Sequence, residues 1–132
     1  MFFSHIFKVA RIGDAQVTEP LRRLVFRPEA ALEDRRAALL ALFDISEVGD
    51  EDTIDVLLDL IQNDLRRPWS LIREALWVLA RKARTNDDRA LQVMQDVLNS
   101  RVGQDDGQLT PVGRAANGAI NAFRRRAHRR RA

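Results

Sequence analysis

Val48-Gly49-Asp50-Glu51-Asp52-Thr53-Ile54-Asp55-Val56-Leu57-Leu58-Asp59-Leu60-Ile61 is the stretch that decides how this chain folds. Ile54, Leu57, Leu58 and Ile61 fall at i, i+3, i+4 and i+7, the spacing that lines one stripe of an α-helix. Gly49 can take the left-handed conformation that closes a preceding helix, and Asp50 is a natural N-cap for the next. Working outward, the same grammar recurs. Ile12-Gly13-Asp14 stands 36 residues earlier, and Thr18, Leu21, Leu24 and Val25 then fall over Ile54, Leu57, Leu60 and Ile61. One more step of that length aligns Ala90, Val93, Met94 and Val97 with Ile54, Leu57, Leu58 and Ile61. Self-similarity at a fixed period signals stacked units that share one core. Equivalent helices are predicted near 16–27, 51–64 and 87–100.

The segments between them repeat as well. Arg36-x-Ala38-x-x-x-Leu42 matches Arg73-x-Ala75-x-x-x-Leu79 and Arg114-x-Ala116-x-x-x-Ile120, at offsets of 37 and 41. A small residue belongs where a neighbouring helix approaches closely, and the large residue four positions on fills the core from the same face. The extra residues of the second offset fall in Gly103–Gly107, read as a flexible insertion in a turn. Pro28, Pro68 and Pro111 stand where these helices should open, a position that tolerates proline, and Thr110 is a candidate N-cap. Helices are therefore expected near 2–12, 29–47, 69–84 and 111–127. No segment alternates strictly between apolar and polar residues, so no strand is expected.

This pattern resembles the HEAT-repeat family. The resemblance rests on the Arg-x-Ala-x-x-x-Leu helices, the Val48-Gly49-Asp50 turn and the Leu57-Leu58-x-Leu60-Ile61 helix, with Pro20 where many such repeats carry a proline. It covers most of residues 6–123 and implies an all-α solenoid of about three and a half helical hairpins, stacked as a right-handed superhelix. Residues 1–123 would form a single domain and 124–132 an arginine-rich tail. Two departures, Asn117-Gly118 in place of an apolar pair and a short first helix, suit capping units, which a solenoid needs at its ends.

Composition bounds the chemistry. The chain has 132 residues, 45% hydrophobic and 31% charged, enough for one packed domain. Cysteine is absent, which rules out disulfides and thiolate metal sites, and the only histidines, His5 and His128, lie at opposite ends. No metal or other cofactor is expected. The N-terminal Met1-Phe2-Phe3-Ser4-His5-Ile6-Phe7-Lys8 lacks the pattern of a signal peptide, and no run approaches the ~18 apolar residues of a membrane span. The expected compartment is the cytoplasm. The net charge of +3 hides an asymmetry. Arg124, Arg125, Arg126, Arg129, Arg130 and Arg131 cluster at the C-terminus, and without those six the chain holds 16 basic against 19 acidic residues.

Several residues invite a functional reading, and each has a plainer one. Glu51, Asp55 and Asp59 share a helix face and could serve acid–base or metal chemistry; a solvated face is the alternative, with Asp59 aligned to Arg23 as a surface pair. Trp69, beside Arg66, Arg67 and Arg73, has the composition of a binding hot spot or plugs a helix end. Trp77 shares its repeat position with Leu40 and is expected to pack between repeats. The arginine tail suits RNA, DNA or another polyanion, caps a helix, or frays in solvent. The face formed by Phe2, Phe3, Ile6, Phe7 and Ala10 could dip into a membrane, aided by Lys8 and Arg11, or cover the next helix.

The function expected is a non-enzymatic protein–protein interaction scaffold or adaptor within a larger assembly, with Arg22, Arg23, Asp55, Asp59, Trp69 and Gln95 as partner-binding candidates. The alternative is nucleic-acid binding through the tail. Some HEAT-like proteins act as bilin-lyase components or DNA glycosylases, but those chains are longer and no catalytic motif matches here. No small-molecule substrate is evident.

Overall fold

The computed structural model describes residues 15–63 and 69–131, with side chains described over 17–62 and 69–129. The helix expected over 2–12, the Gly13-Asp14 cap and Pro68 lie outside the described residues. The architecture is all-α: α1 (Ala15–Phe26), α2 (Leu32–Ile45), α3 (Glu51–Asn63), α4 (Trp69–Lys82), α5 (Asp88–Asn99) and α6 (Pro111–Arg131). Consecutive helices pack in pairs, α1 on α2, α3 on α4 and α5 on α6. The odd helices also pack on one another in order, as do the even ones.

Burial follows the repeating pattern. Thr18, Leu21 and Val25 of α1, Ile54, Leu57 and Ile61 of α3, and Ala90, Val93 and Met94 of α5 are buried. On the even helices Ala38, Ala75 and Ala116 are fully inaccessible, and Leu42, Leu79 and Ile120 are buried beside them. All but the polar Thr18 belong to one continuous apolar core. Among the described residues no helix is long and apolar enough to cross a membrane.

Gly49 takes φ +81° between α2 and α3. Asp50 Oδ2 accepts from Thr53 N at 3.3 Å and from Thr53 Oγ1 at 2.5 Å. Thr53 Oγ1 therefore has its proton committed, and Ser46 Oγ, 2.9 Å away, donates to it. This buried chain of hydroxyls joins the end of α2 to the start of α3. Pro111 opens α6 as expected, with Gly113 N donating to the Thr110 hydroxyl at 3.0 Å.

Three boundaries differ from expectation. Pro28 does not open α2: Ala30 N donates to Arg27 O at 3.2 Å, so proline, whose fixed φ suits a turn, sits in a turn and the helix begins at Leu32. Ala31 is its extended N-cap and makes no side-chain cap bond. The Gly103–Gly107 segment is an ordered hairpin, β1 (Gln104–Asp105) pairing antiparallel with β2 (Gln108–Leu109). Asp106 at φ 49° and Gly107 at φ 79° make its two-residue turn. Both central residues have positive φ, the backbone twist that two-residue hairpins favour. So short a ladder carries no alternation to read. Finally, the arginines from 124 onward continue α6 to Arg131 rather than forming a separate tail.

Two glycines let the base of this hairpin approach α5 and α6 closely. A Cβ on Gly113 would lie 1.9 Å from the Gly103 carbonyl oxygen, and one on Gly103 would lie 2.2 Å from Val97 O. Backbone meets backbone there, so neither neighbour can yield cheaply. Gly113→Ala should lower stability by about 1–3 kcal/mol through overpacking. Gly118→Ala, five residues along the same helix and with nothing within 4 Å of the new Cβ, should raise it by up to about 1 kcal/mol. Urea unfolding of both variants checks the opposite signs.

Candidate functional site

The candidate site is a cleft of about 510 Å³ on the even-helix side, bounded by Arg36 of α2, by Arg73, Glu74, Trp77 and Arg81 of α4, and by Ala115, Gly118, Ala119, Ala122 and Arg125 of α6. Helical spacing builds both walls. Residues 73, 77 and 81 step along α4 by four, and 115, 118, 119 and 122 lie at i, i+3, i+4 and i+7 on α6. The α6 wall is nearly bare backbone and methyl groups. The α4 wall carries the ring with Arg73, Glu74 and Arg81, while Arg36 of α2 and Arg125 of α6 add charge from either side.

Trp77 is held in place. Its ring packs tilted against Phe43 with centroids 4.7 Å apart, and the Arg81 guanidinium lies 4.1 Å above its centroid, a contact worth about 0.5–1 kcal/mol at an exposed site. Arg81 Nη1 also donates to the Trp77 carbonyl at 3.0 Å. The ring is nevertheless 41% exposed. Arg36 Nε donates to Glu74 Oε1 at 2.8 Å, and Arg36 Nη2 closes a second contact to the same oxygen. That hydrogen bond, then the carboxylate charge, raises the Arg36 pKa above its ordinary value. Burial first, and Arg125 second, lowers that of Arg81. Four arginines thus face the cleft against one glutamate, which Arg36 already engages.

Arg126 points the other way. Its Nη1 donates to Ala80 O at 2.5 Å, in the last turn of α4, where carbonyls lack helical partners. The arginine segment is therefore docked through Arg126 and cleft-lining through Arg125, while Arg124 and Arg129 are exposed.

The residues singled out from sequence fall in several places. Arg22 Nη2 pairs with Glu19 Oε2 at 2.8 Å and Arg23 Nε with Glu19 Oε1 at 3.3 Å. The Arg22 hydrogen bond is the main reason the Glu19 carboxyl titrates below its usual range. Arg23's ion pair is thus with its own helix. Asp55 pairs with Arg89 of α5 at 3.4 Å, both well exposed, a contact worth about 0–1 kcal/mol. Asp59 is exposed and Gln95 half-buried. Among the described residues no three carboxylate or imidazole side chains group so as to hold a metal ion. Trp69 is 38% exposed and borders a separate apolar depression with Ile61, Ile72, Val93, Val97 and Val102. Trp77 packs across to the preceding even helix, on Phe43 of α2, as expected of packing between repeats, but that contact does not bury it. It does occupy the same repeat position as Leu40, but both are outward-facing, at 41% and 42% exposure. The position lies on the outer face of the even helices, which a shared register alone does not reveal. Comparison with known proteins returns no matching family model, no curated relative and no matching solved structure.

Arg126→Ala should loosen the end of α6 and cost about 1.5–3 kcal/mol, the range for a hydrogen bond from a charged donor. Arg129→Ala should change stability by less than about 0.5 kcal/mol. Thermal unfolding followed by circular dichroism distinguishes a docked helix from a free tail.

Proposed function

We propose that the chain is a HEAT-like stack of helical hairpins, about three and a half in a right-handed superhelix, acting as a non-catalytic protein–protein interaction module. The two-layer packing of odd on odd and even on even helices supports the architecture, as does the repeated burial of Ala38, Ala75 and Ala116. The observation that carries the function is Trp77: a half-exposed tryptophan, braced by Phe43 and Arg81, at the mouth of an arginine-lined cleft. Tryptophan and arginine are the residues over-represented where binding energy concentrates, and a ring already held in its rotamer loses little entropy on binding. What the cleft presents is guanidinium, ring and methyl, groups that hold a partner.

Nucleic-acid binding through Arg124–Arg131 is the second reading, favoured by the exposure of Arg124 and Arg129 on one continuous helix. Deleting the whole segment would also remove Arg125 from the cleft and the Arg126 bond to α4. The discriminating variant replaces Arg124, Arg129, Arg130 and Arg131 with glutamine and keeps Arg125 and Arg126. In affinity capture with and without nuclease, the interaction-module reading expects protein partners that survive nuclease treatment and remain bound to this variant. Capture that disappears with nuclease, falls steeply with salt and fails with the variant would contradict it.

A further inference from the structure

At the repeat position that Leu40 holds on α2 and Trp77 on α4, α6 carries Gly118. The exchange extends a turn to either side: Glu74 and Arg81 of α4 correspond to Ala115 and Ala122 of α6. A Cβ on Gly118 would meet nothing within 4 Å. The cleft is therefore the space that bulky side chains would occupy had α6 followed the pattern of α4, and at Gly118 that of α2 as well. Only there does the outer face drop to backbone, directly beside the exposed ring.

We propose that this vacancy is the seat for an amphipathic acidic helix of a partner protein, which places a large apolar side chain over Gly118 against Trp77. This rests on the interaction-module reading above. Charge complementarity selects the occupant. Among the described residues Arg73 and Arg125 have no acidic partner, Arg81 is engaged by its own helix and the Trp77 ring, and Glu74 is paired through Oε1 with Arg36. Carboxylates flanking the apolar side chain would complete these three guanidiniums. The small-residue row on α6 lets an incoming backbone approach closely, and a rod lying between two helices answers the shape, as in helix-in-groove recognition. A single-stranded nucleic acid fits less well. Base stacking needs an open aromatic face, whereas Arg81 lies over the Trp77 ring at 4.1 Å and Phe43 crowds it at 4.7 Å. Ala115, Gly118, Ala119 and Ala122 of α6 offer a phosphate no side-chain donor.

Gly118→Leu tests the assignment, since it restores the side chain that α2 carries at this position and fills the seat. It replaces a helical glycine without a clash, so the fold should be as stable as the parent or more so; circular dichroism and the melting temperature check this. The probes are three fluorescein-labelled oligomers of equal length: a glutamate-rich helix with leucines at i, i+3, i+4 and i+7, an all-glutamate peptide, and oligouridylate. Fluorescence anisotropy on the full chain should show the leucine-containing helix binding best. Gly118→Leu, and independently Trp77→Ala or Arg73→Glu, should each weaken it roughly tenfold or more, a loss of about 1.4 kcal/mol. Equal binding of that peptide to parent and Gly118→Leu would overturn the assignment. So would tighter binding of oligouridylate, equal binding of the all-glutamate peptide, or no peptide binding to the parent. Affinity capture separates this failure from failure of the broader reading. Nuclease-resistant protein partners held equally by parent and Gly118→Leu leave the interaction module standing and remove the cleft from it; capture that nuclease abolishes in both removes the module as well.

Discussion

Three basic side chains do for this fold what helix ends cannot do for themselves. Arg35 Nε donates to Val25 O at 2.9 Å in the last turn of α1. Lys82 Nζ donates to Ser46 O at 2.7 Å, at the C-cap of α2, and Arg126 Nη1 to Ala80 O in the last turn of α4. Each carbonyl would otherwise be left without a helical partner at the negative end of its helix. The cation comes from the next helix of the chain in the first case and from the next even helix in the other two. These bonds tie the layers in sequence and set how far each helix slides along its neighbour. Desolvation is the cost: burial lowers the pKa of Arg35 and is the leading cause of the lowering at Lys82, where Arg126 adds repulsion and Asp44 opposes it.

The cleft follows from that docking. With Arg126 anchored on α4, Arg125 is carried to the lip beside Arg81, and the small-residue row of α6 is held opposite Trp77. Charge alone would drive these arginines apart. They stay together because one donates to a carbonyl of α4 and another lies over an aromatic ring. The gathering of Arg73 and Arg81 on α4 with Arg125 at the end of the small-residue row of α6 is a consequence of fold and sequence acting together.

Much of this was legible in the residues. The helical spacing around Ile54 and Leu57, the Gly49-Asp50 turn and the Thr110-Pro111 start act through local backbone physics, and the structure places helices, cap and turn where that physics puts them. Pro28 misled because proline suits a turn as readily as a helix start. The β1–β2 hairpin was hidden because two-residue strands have no period. The arginine segment read as a tail because composition cannot show that Arg126 finds a carbonyl 46 residues away. The site was visible only in fragments. Gly118 stood out as a departure and Trp77 as a register match to Leu40, but that the two face each other across a cleft depends on α4 packing on α6. Side-chain exposure on the even helices is a tertiary property that a repeat alignment does not carry.

The central claim is a positively charged cleft with Trp77 half-open at its mouth. A Trp69→Phe chain leaves Trp77 as the single tryptophan, since the sequence holds two, and its fluorescence can be quenched by anionic iodide or cationic caesium at low ionic strength, where local potential is least screened. The account predicts efficient quenching by iodide, clearly weaker quenching by caesium, and convergence of the two as salt is raised. Caesium quenching equal to or stronger than iodide, or a ring shielded from both, would contradict it.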